Sequence, residues 1–150
     1  MSRRKASTTP SSSRWARGEA WVAAQLALFA LIVASWFVGP GVSTLGLIPA
    51  ALGVVLAAWA VRAMGPSMTA MPVPKDEGRL VQEGPYRFLR HPIYVGGTLF
   101  FAGLSLVFSA YGLVLTAVLA LFWFAKARKE ERHLGERFPE YADYRRRTRF

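Results

Sequence analysis

IYVGGTLFFAGLSLVFSAYGLVLTAVLALFWFA, residues 93–125, carries no charged side chain in 33 positions. A helix needs about 20 apolar residues to cross the hydrocarbon core of a bilayer. The run is too long for one ordinary span, and it breaks in its middle at Ser109-Ala110-Tyr111-Gly112. It therefore reads as a hairpin of two short membrane helices, 92–108 and 111–125. Working outward, two more uncharged blocks precede it. Trp21 to Val38 spans 18 residues and Val42 to Val61 spans 20, enough for one crossing each. The expected fold is all-α, an integral membrane helical bundle of about four spans (21–38, 42–61, 92–108 and 111–125), with a helical continuation beyond the last.

The charges fall outside these blocks, and their placement sets an expected orientation. The N-terminal arm has Arg3, Arg4, Lys5, Arg14 and Arg17, and the middle segment has Arg62, Lys75, Arg79, Arg87 and Arg90. The C-terminal segment holds the other nine Lys and Arg, whereas the connections near Gly39-Pro40-Gly41 and Ser109–Gly112 hold none. Excess Lys and Arg marks the cytoplasmic side. Both termini and the middle segment are therefore expected there, in a multi-pass protein of the plasma or inner membrane if bacterial. The net charge of +10 is accounted for by topology and anionic lipid, so no nucleic-acid partner is expected. No cysteine is present, which excludes disulfides, Cys-based metal sites and a thiol nucleophile.

Residues 1–14 are rich in Ser, Thr, Pro and Arg and read as a disordered basic arm; residues 15–150 read as one domain. The start, Ser2-Arg3-Arg4-Lys5, hints at a signal, but the apolar run comes late and is long, so it reads as a retained first helix. Gly46, Pro49 and Gly53 make the second helix irregular, and small residues suit close helix contacts. Met64 to Glu83 reads as a cytoplasmic loop, extended at Met71-Pro72-Val73-Pro74.

Polar chemistry concentrates where that loop meets the hairpin, in Gly84-Pro85-Tyr86-Arg87-Phe88-Leu89-Arg90-His91-Pro92-Ile93-Tyr94-Val95-Gly96-Gly97. Pro92 suits a first helical turn, whose unpaired N–H groups and dipole favour an anion. Arg87 and Arg90 add charge suited to carboxylate or phosphate, or equally to lipid head groups. Gly96 and Gly97 cost helix stability and mark a place where a helix or a flat ligand meets the backbone. Past the hairpin no breaker appears before Gly135, so the last span is expected to continue through Lys126–Leu134. Glu130, Leu134, Phe138 and Tyr141 recur on one helical face, with a kink or new helix at Phe138-Pro139. Glu130 and Glu131 offer acceptors for hydroxyls or an ammonium, or pair with nearby cations. His91 and His133 lack further ligands at metal spacing, so no metal site is expected.

Taken in order, three elements resemble the isoprenylcysteine carboxyl methyltransferase family, itself similar to the phospholipid methyltransferases. They are Leu80-Val81-Gln82-Glu83-Gly84-Pro85-Tyr86-Arg87 followed by Arg90-His91-Pro92-Ile93-Tyr94-Val95-Gly96; the short hairpin; and Glu130-Glu131-x-x-Leu134 with Phe138-x-x-Tyr141-x-x-Tyr144. Two departures stand out: Phe138-Pro139 where the family usually has Phe-Gly, and Arg149 where a proline is common. The resemblance implies S-adenosylmethionine-dependent methyl transfer to a lipophilic small-molecule or lipidated acceptor at the cytosolic membrane face. It implies cofactor binding by Arg90, His91, Pro92, Tyr94, Glu130 and Glu131; beside them, the aromatic face of Tyr86 and the bare backbone at Gly96 and Gly97 are further expected cofactor contacts. A carboxylate acceptor would need no base, only a cation to orient it, for which Arg87, Arg145 and Arg147 are the candidates. Two alternatives remain: an NADPH-dependent sterol- or enone-type membrane reductase, and a small non-enzymatic membrane interaction protein.

Overall fold

The computed structural model describes residues 12–65 and 79–150. The described elements are helical: α1 Ser12–Ser35, α2 Leu47–Met64, α3 Pro92–Phe108, α4 Ala110–Arg137 and α5 Tyr141–Arg147. Short 3₁₀ turns at Thr44–Gly46 and Gly84–Arg87 lead into α2 and α3. Of the expected arm, residues 1–11 lie outside the described part, while Ser12 to Arg14 already belong to α1. The expected extended stretch Met71–Pro74 also lies outside it.

Three helices are long and apolar enough to cross a membrane, and α3 is a shorter apolar helix. With 17 residues α3 is about 26 Å long, a little less than the hydrocarbon thickness of about 30 Å. The expected hairpin is present and tighter than its sequence suggests. Ser109 alone separates its two helices, in extended conformation. The Gly39–Ser43 segment braces this corner: Val42 and Ser43 N–H both donate to the Leu106 carbonyl at 2.8 Å, and Ala110 N–H donates to the Pro40 carbonyl.

The ends follow from local chemistry. α2 stops at Gly65, which takes φ +51, a conformation that glycine adopts without steric cost. α4 stops at Phe138 because the following Pro139 disfavours helical backbone in its predecessor. Before that stop α4 runs unbroken for 28 residues, through Gly135. Its uncharged part ends at Ala125, and the turns from Lys126 onward carry the charge.

α2 and α3 run antiparallel along two reciprocal glycine contacts. Gly46 faces Gly103 and Gly53 faces Gly96. A Cβ at Gly96 would lie 2.8 Å from the Gly53 carbonyl oxygen and 2.9 Å from Ala57 N. Gly46, Ala50, Gly53, Ala57 and Ala60 recur at steps of four and three, a stripe of small residues on one face of α2. In lipid, close packing of this kind is a main source of helix association. On the other side of the hairpin Ile32, Leu119 and Trp123 form a buried apolar cluster, joined by Phe29, Trp36, Phe101 and Tyr94. Side chains such as Val55, Val114 and Leu121 point outward instead, as expected of a lipid-facing surface.

Candidate active site

The site lies at the charged end of the bundle, where α3 begins and α4 passes its last apolar turn. The 3₁₀ turn Gly84–Arg87 delivers the chain to His91, and Pro92 opens α3 in the first helical turn. Tyr94 and Val95 N–H both donate to the His91 carbonyl, and Pro92 has no N–H. The helix start is thereby largely satisfied by its own chain, against the expected anion site built on free amide groups.

Side chains do the work in its place, around two adjacent carboxylates of α4. Glu131 Oε1 accepts from Arg90 Nε at 2.7 Å and lies 3.1 Å from His91 Nε2. Glu130 Oε1 accepts from the Tyr94 hydroxyl at 2.6 Å, and its Oε2 lies 3.7 Å from His91 Nδ1. The His91 imidazole is thus held between both carboxylates, and it is itself buried. The two acids sit in opposite electrostatic settings. Burial pushes the Glu131 carboxyl up, but the hydrogen bonds of His91 and Arg90 outweigh it and hold it down at about 2. Burial pushes the Glu130 carboxyl up, and the opposing pull of Tyr94, His91 and Lys126 does not cancel it. Neighbouring acids driven apart in this way are a frequent mark of a functional site.

The C-terminal segment closes over this cluster. Arg90 donates through its guanidinium to the Thr148 carbonyl at 2.7 Å, and its backbone N–H donates to the Arg149 carbonyl. Arg149 N–H returns a bond to the Phe88 carbonyl, pairing the two segments as a single parallel bridge. Phe150 places its ring 5.2 Å from that of His91. The Tyr144 hydroxyl donates to the Tyr86 carbonyl at 2.9 Å inside the packed region. Burial pushes the Tyr144 phenol up to about 12, so it stays protonated and donates at neutral pH. Tyr144→Phe leaves that carbonyl buried without this donor and should cost about 1–3 kcal/mol. Thermal unfolding of the purified protein checks it.

The expected residues divide into three groups. Arg90, His91, Tyr94, Glu130 and Glu131 are brought together, 40 residues of sequence apart at His91 and Glu131. Tyr86, Pro92, Gly96 and Gly97 are buried or half-buried supports. Tyr86 packs in a cluster with Ala60 and Val81. Gly96 meets α2, so its missing side chain serves helix packing, and a Cβ at Gly97 would meet the Trp123 ring. Arg87 and Arg147 do not join the cluster: Arg87 is exposed against Phe88, and Arg147 is exposed beside Asp143 and Gln82. Arg145 approaches it, with its Nε 3.9 Å from Glu131 Oε2.

Several participants carried no sequence signal of their own. Thr148 and Phe150 enter through the tail, and Gln25 enters from α1, accepting from Trp123 Nε1 at 3.0 Å and Lys126 Nζ at 3.1 Å. Beside the cluster, between α4 and α5, lies an open cleft of about 670 Å³. Glu131, Arg132, Phe138, Tyr141 and Arg145 are among its walls. The Tyr141 hydroxyl is buried behind this wall, with no hydrogen-bond partner among the described residues. Among the described residues no group of three or more His, Cys, Asp or Glu is placed to hold a metal ion.

Comparison with known proteins adds a family to this geometry. Over 116 residues the chain is 35% identical to the cobalt-zinc-cadmium resistance protein CzcN of Cupriavidus metallidurans, covering 75% of this chain and 49% of that protein. Over 71 residues it is 39% identical to the nickel-cobalt-cadmium resistance protein NccN of Alcaligenes xylosoxydans xylosoxydans, covering 46% of this chain and 33% of that one. The matched part thus spans half or less of the length of these curated relatives. Residues 42–141, from the start of the α2 segment to the first residue of α5, match the model of the phospholipid methyltransferase family. The match takes in the glycine-packed pair α2–α3, the hairpin, and the whole Arg90–His91–Glu130–Glu131 cluster, and the chain belongs to that family of membrane methyltransferases.

Proposed function

We propose that the protein transfers a methyl group from S-adenosylmethionine to a lipophilic acceptor at the cytosolic face of the membrane. The observation that carries this reading is the pair of adjacent carboxylates of α4, locked to the start of α3 beside an open cleft. The groups present suit the cofactor. Glu131 offers an acceptor for its ammonium or ribose hydroxyls, Arg132 and Arg145 suit its carboxylate, and Phe138 and Tyr141 offer aromatic surface to the adenine. A cleft of about 670 Å³ is in the range of small-molecule sites.

When bound, the cofactor supplies an electrophilic methyl on sulfonium, and the protein's task is to orient and exclude water. Arg90 and His91 fix the Glu131 carboxylate, so it meets a cation without reorganising. Tyr94 holds Glu130. The Thr148–Phe150 tail covers His91 and shields the cluster from water. No covalent nucleophile is required of the chain. In this reading residues 15–150 act as one unit, with both termini on the cytosolic side of a multi-pass bundle.

A nicotinamide-dependent reductase of similar membrane architecture is the competing reading. The Glu131 carboxylate on the cleft wall favours the methyltransferase, because S-adenosylmethionine carries an ammonium that can donate to it and NADPH carries none. Calorimetry on detergent-purified protein decides between them. S-adenosylmethionine should bind with micromolar affinity, about −8 kcal/mol, and NADPH should not. Binding of NADPH with no binding of S-adenosylmethionine would overturn the proposal.

A further inference from the structure

Arg90 belongs to two parts of the molecule at once. Its Nε donates to Glu131 Oε1 at 2.7 Å, and its Nη1 donates to the Thr148 carbonyl at 2.7 Å and the Arg145 carbonyl at 3.4 Å. Its backbone N–H donates to the Arg149 carbonyl at 2.8 Å, and Arg149 N–H donates to the Phe88 carbonyl at 2.9 Å. One residue therefore holds both the α4 carboxylate and the segment that follows α5. Beyond that bridge, Phe150 sets its ring 5.2 Å from His91 and 5.6 Å from Phe124. His91 is 7% exposed and Phe124, in the last uncharged turn of α4, is 44% exposed, so Phe150 stands between the buried imidazole and the outer surface. α5, which carries this segment, is attached unevenly. The Tyr144 hydroxyl donates to the Tyr86 carbonyl, and Arg147 Nη2 donates to Gln82 Oε1 at 3.2 Å, which ties α5 to the chain before α3. Toward α4 the cleft intervenes, and Arg145 Nε stops 3.9 Å from Glu131 Oε2, beyond hydrogen-bond reach. A few hydrogen bonds gain about what it costs to order the residues that make them, so such a segment opens locally before the bundle unfolds.

We propose that Thr148–Phe150 is a lid over the carboxylate cluster, that Arg90 is its latch, and that a ligand seated in the cleft against Glu131 pulls it shut. The coupling rests on the cofactor reading above; the latch stands on the bonds of Arg90 alone. With S-adenosylmethionine in the cleft, Glu131 meets its ammonium and Arg145 its carboxylate, and the gap from α4 to α5 is bridged. The Glu131 carboxylate is then fixed from both sides, Arg90 is fixed with it, and so are the Thr148 and Arg149 carbonyls that Arg90 holds. The coupling is reciprocal: whatever loosens the lid weakens the ligand. Open, the lid admits water to His91 and the carboxylates and uncovers the side that faces Phe124. Closed, it excludes water and strengthens the charge interactions beneath it.

Hydrogen exchange read by mass spectrometry, on the protein in lipid nanodiscs, tests both halves. The amides to follow are those of Arg90 and Arg149, which pair the two segments. Without ligand, Phe150→Ala and Arg90→Lys should each speed exchange at Arg149 by about threefold or more, while Val42 and Ser43 at the far end of the bundle stay within about twofold. Saturating S-adenosylmethionine should slow exchange at both bridge amides of wild type by about threefold or more. By calorimetry, Phe150→Ala should weaken S-adenosylmethionine in proportion to the closed fraction lost. Where Phe150→Ala does not fold, Phe150→Leu, which keeps bulk and loses the ring, takes its place. Unchanged exchange at Arg149 in both variants overturns the lid and its latch. Binding of S-adenosylmethionine to wild type with no slowing at either amide overturns the closure. The two readings fail separately: absence of S-adenosylmethionine binding in wild type defeats the methyltransferase reading, and the comparison without ligand still decides whether Arg90 latches the segment.

Discussion

Glu131→Ala is expected to remove S-adenosylmethionine binding and to destabilise the protein by about 3–5 kcal/mol, the usual cost of deleting one partner of a buried ion pair. The size follows from what the carboxylate ties together. It is only 13% exposed and serves Arg90 at 2.7 Å and His91 at 3.1 Å. Without it, the Arg90 guanidinium stays half-buried with, among the described residues, only the Thr148 and Arg145 carbonyls as hydrogen-bond partners. Glu131→Gln keeps the shape and loses the charge, so it should fold better than the alanine variant while weakening the cofactor at least about tenfold, as loss of a charge-assisted bond does. Thermal unfolding separates the stability cost, and calorimetry separates the affinity. Unchanged affinity in both variants would remove Glu131 from the binding site.

The same group predicts a pH dependence. Its folded pKa, about 2, lies below the ordinary carboxylate value of 4.5. The unfolded chain therefore binds a proton that the folded chain still refuses. Stability from this group is fully present above pH 4.5 and is lost as pH falls toward 2. Screening by solvent reduces the loss to about 1–3 kcal/mol. In Glu131→Gln this acid-limb component should be absent, and a midpoint series of thermal unfolding at falling pH reads the difference.

The hairpin was legible because 33 uncharged residues cannot be one span, and Ser109 sits where they break. The long α4 was legible because nothing in Lys126–Leu134 interrupts helix, and its stop was legible in Phe138-Pro139. The Arg90–Glu131 and Tyr94–Glu130 pairs were not legible from spacing. Contacts across 41 and 36 residues of sequence depend on how α3 and α4 are rotated, and only the family resemblance placed them on one side. Lys126 was invisible for a different reason. In sequence it opens a run of cations and reads as solvated charge; its burial comes from α1, whose Gln25 lies 101 positions away. Gly96 carried two readings, ligand contact and helix contact, and the choice between them needed the position of Gly53.

Gly103→Leu is expected to force α2 and α3 apart. The backbones of α2 and α3 touch at two levels seven residues apart on each helix, Gly46 with Gly103 and Gly53 with Gly96. A Cβ at Gly103 would already meet the Gly46 carbonyl oxygen, the Ala50 backbone N and the Ala50 Cβ, the last at 2.8 Å. Two of those atoms are backbone within or next to α2, so a rotamer change does not relieve the clash. The helices must separate, and because contact at Gly53–Gly96 depends on the same approach, the second level opens with the first. Overpacking in well-packed cores costs about 1–3 kcal/mol and occasionally more. Here a leucine adds four carbons where one does not fit, and lipid supplies no hydrophobic force to hold the pair together. Loss of monodisperse protein on extraction, or a fall in melting temperature of several degrees, is the expected readout. Gly135→Leu is the matched control: its glycine lies on the exposed face of α4 with the Tyr141 ring 3.7 Å from an added Cβ. Should Gly103→Leu unfold at the same temperature as wild type, α2 and α3 do not approach as closely as described, and the helix start at His91, which α3 carries to Glu131, would need another support.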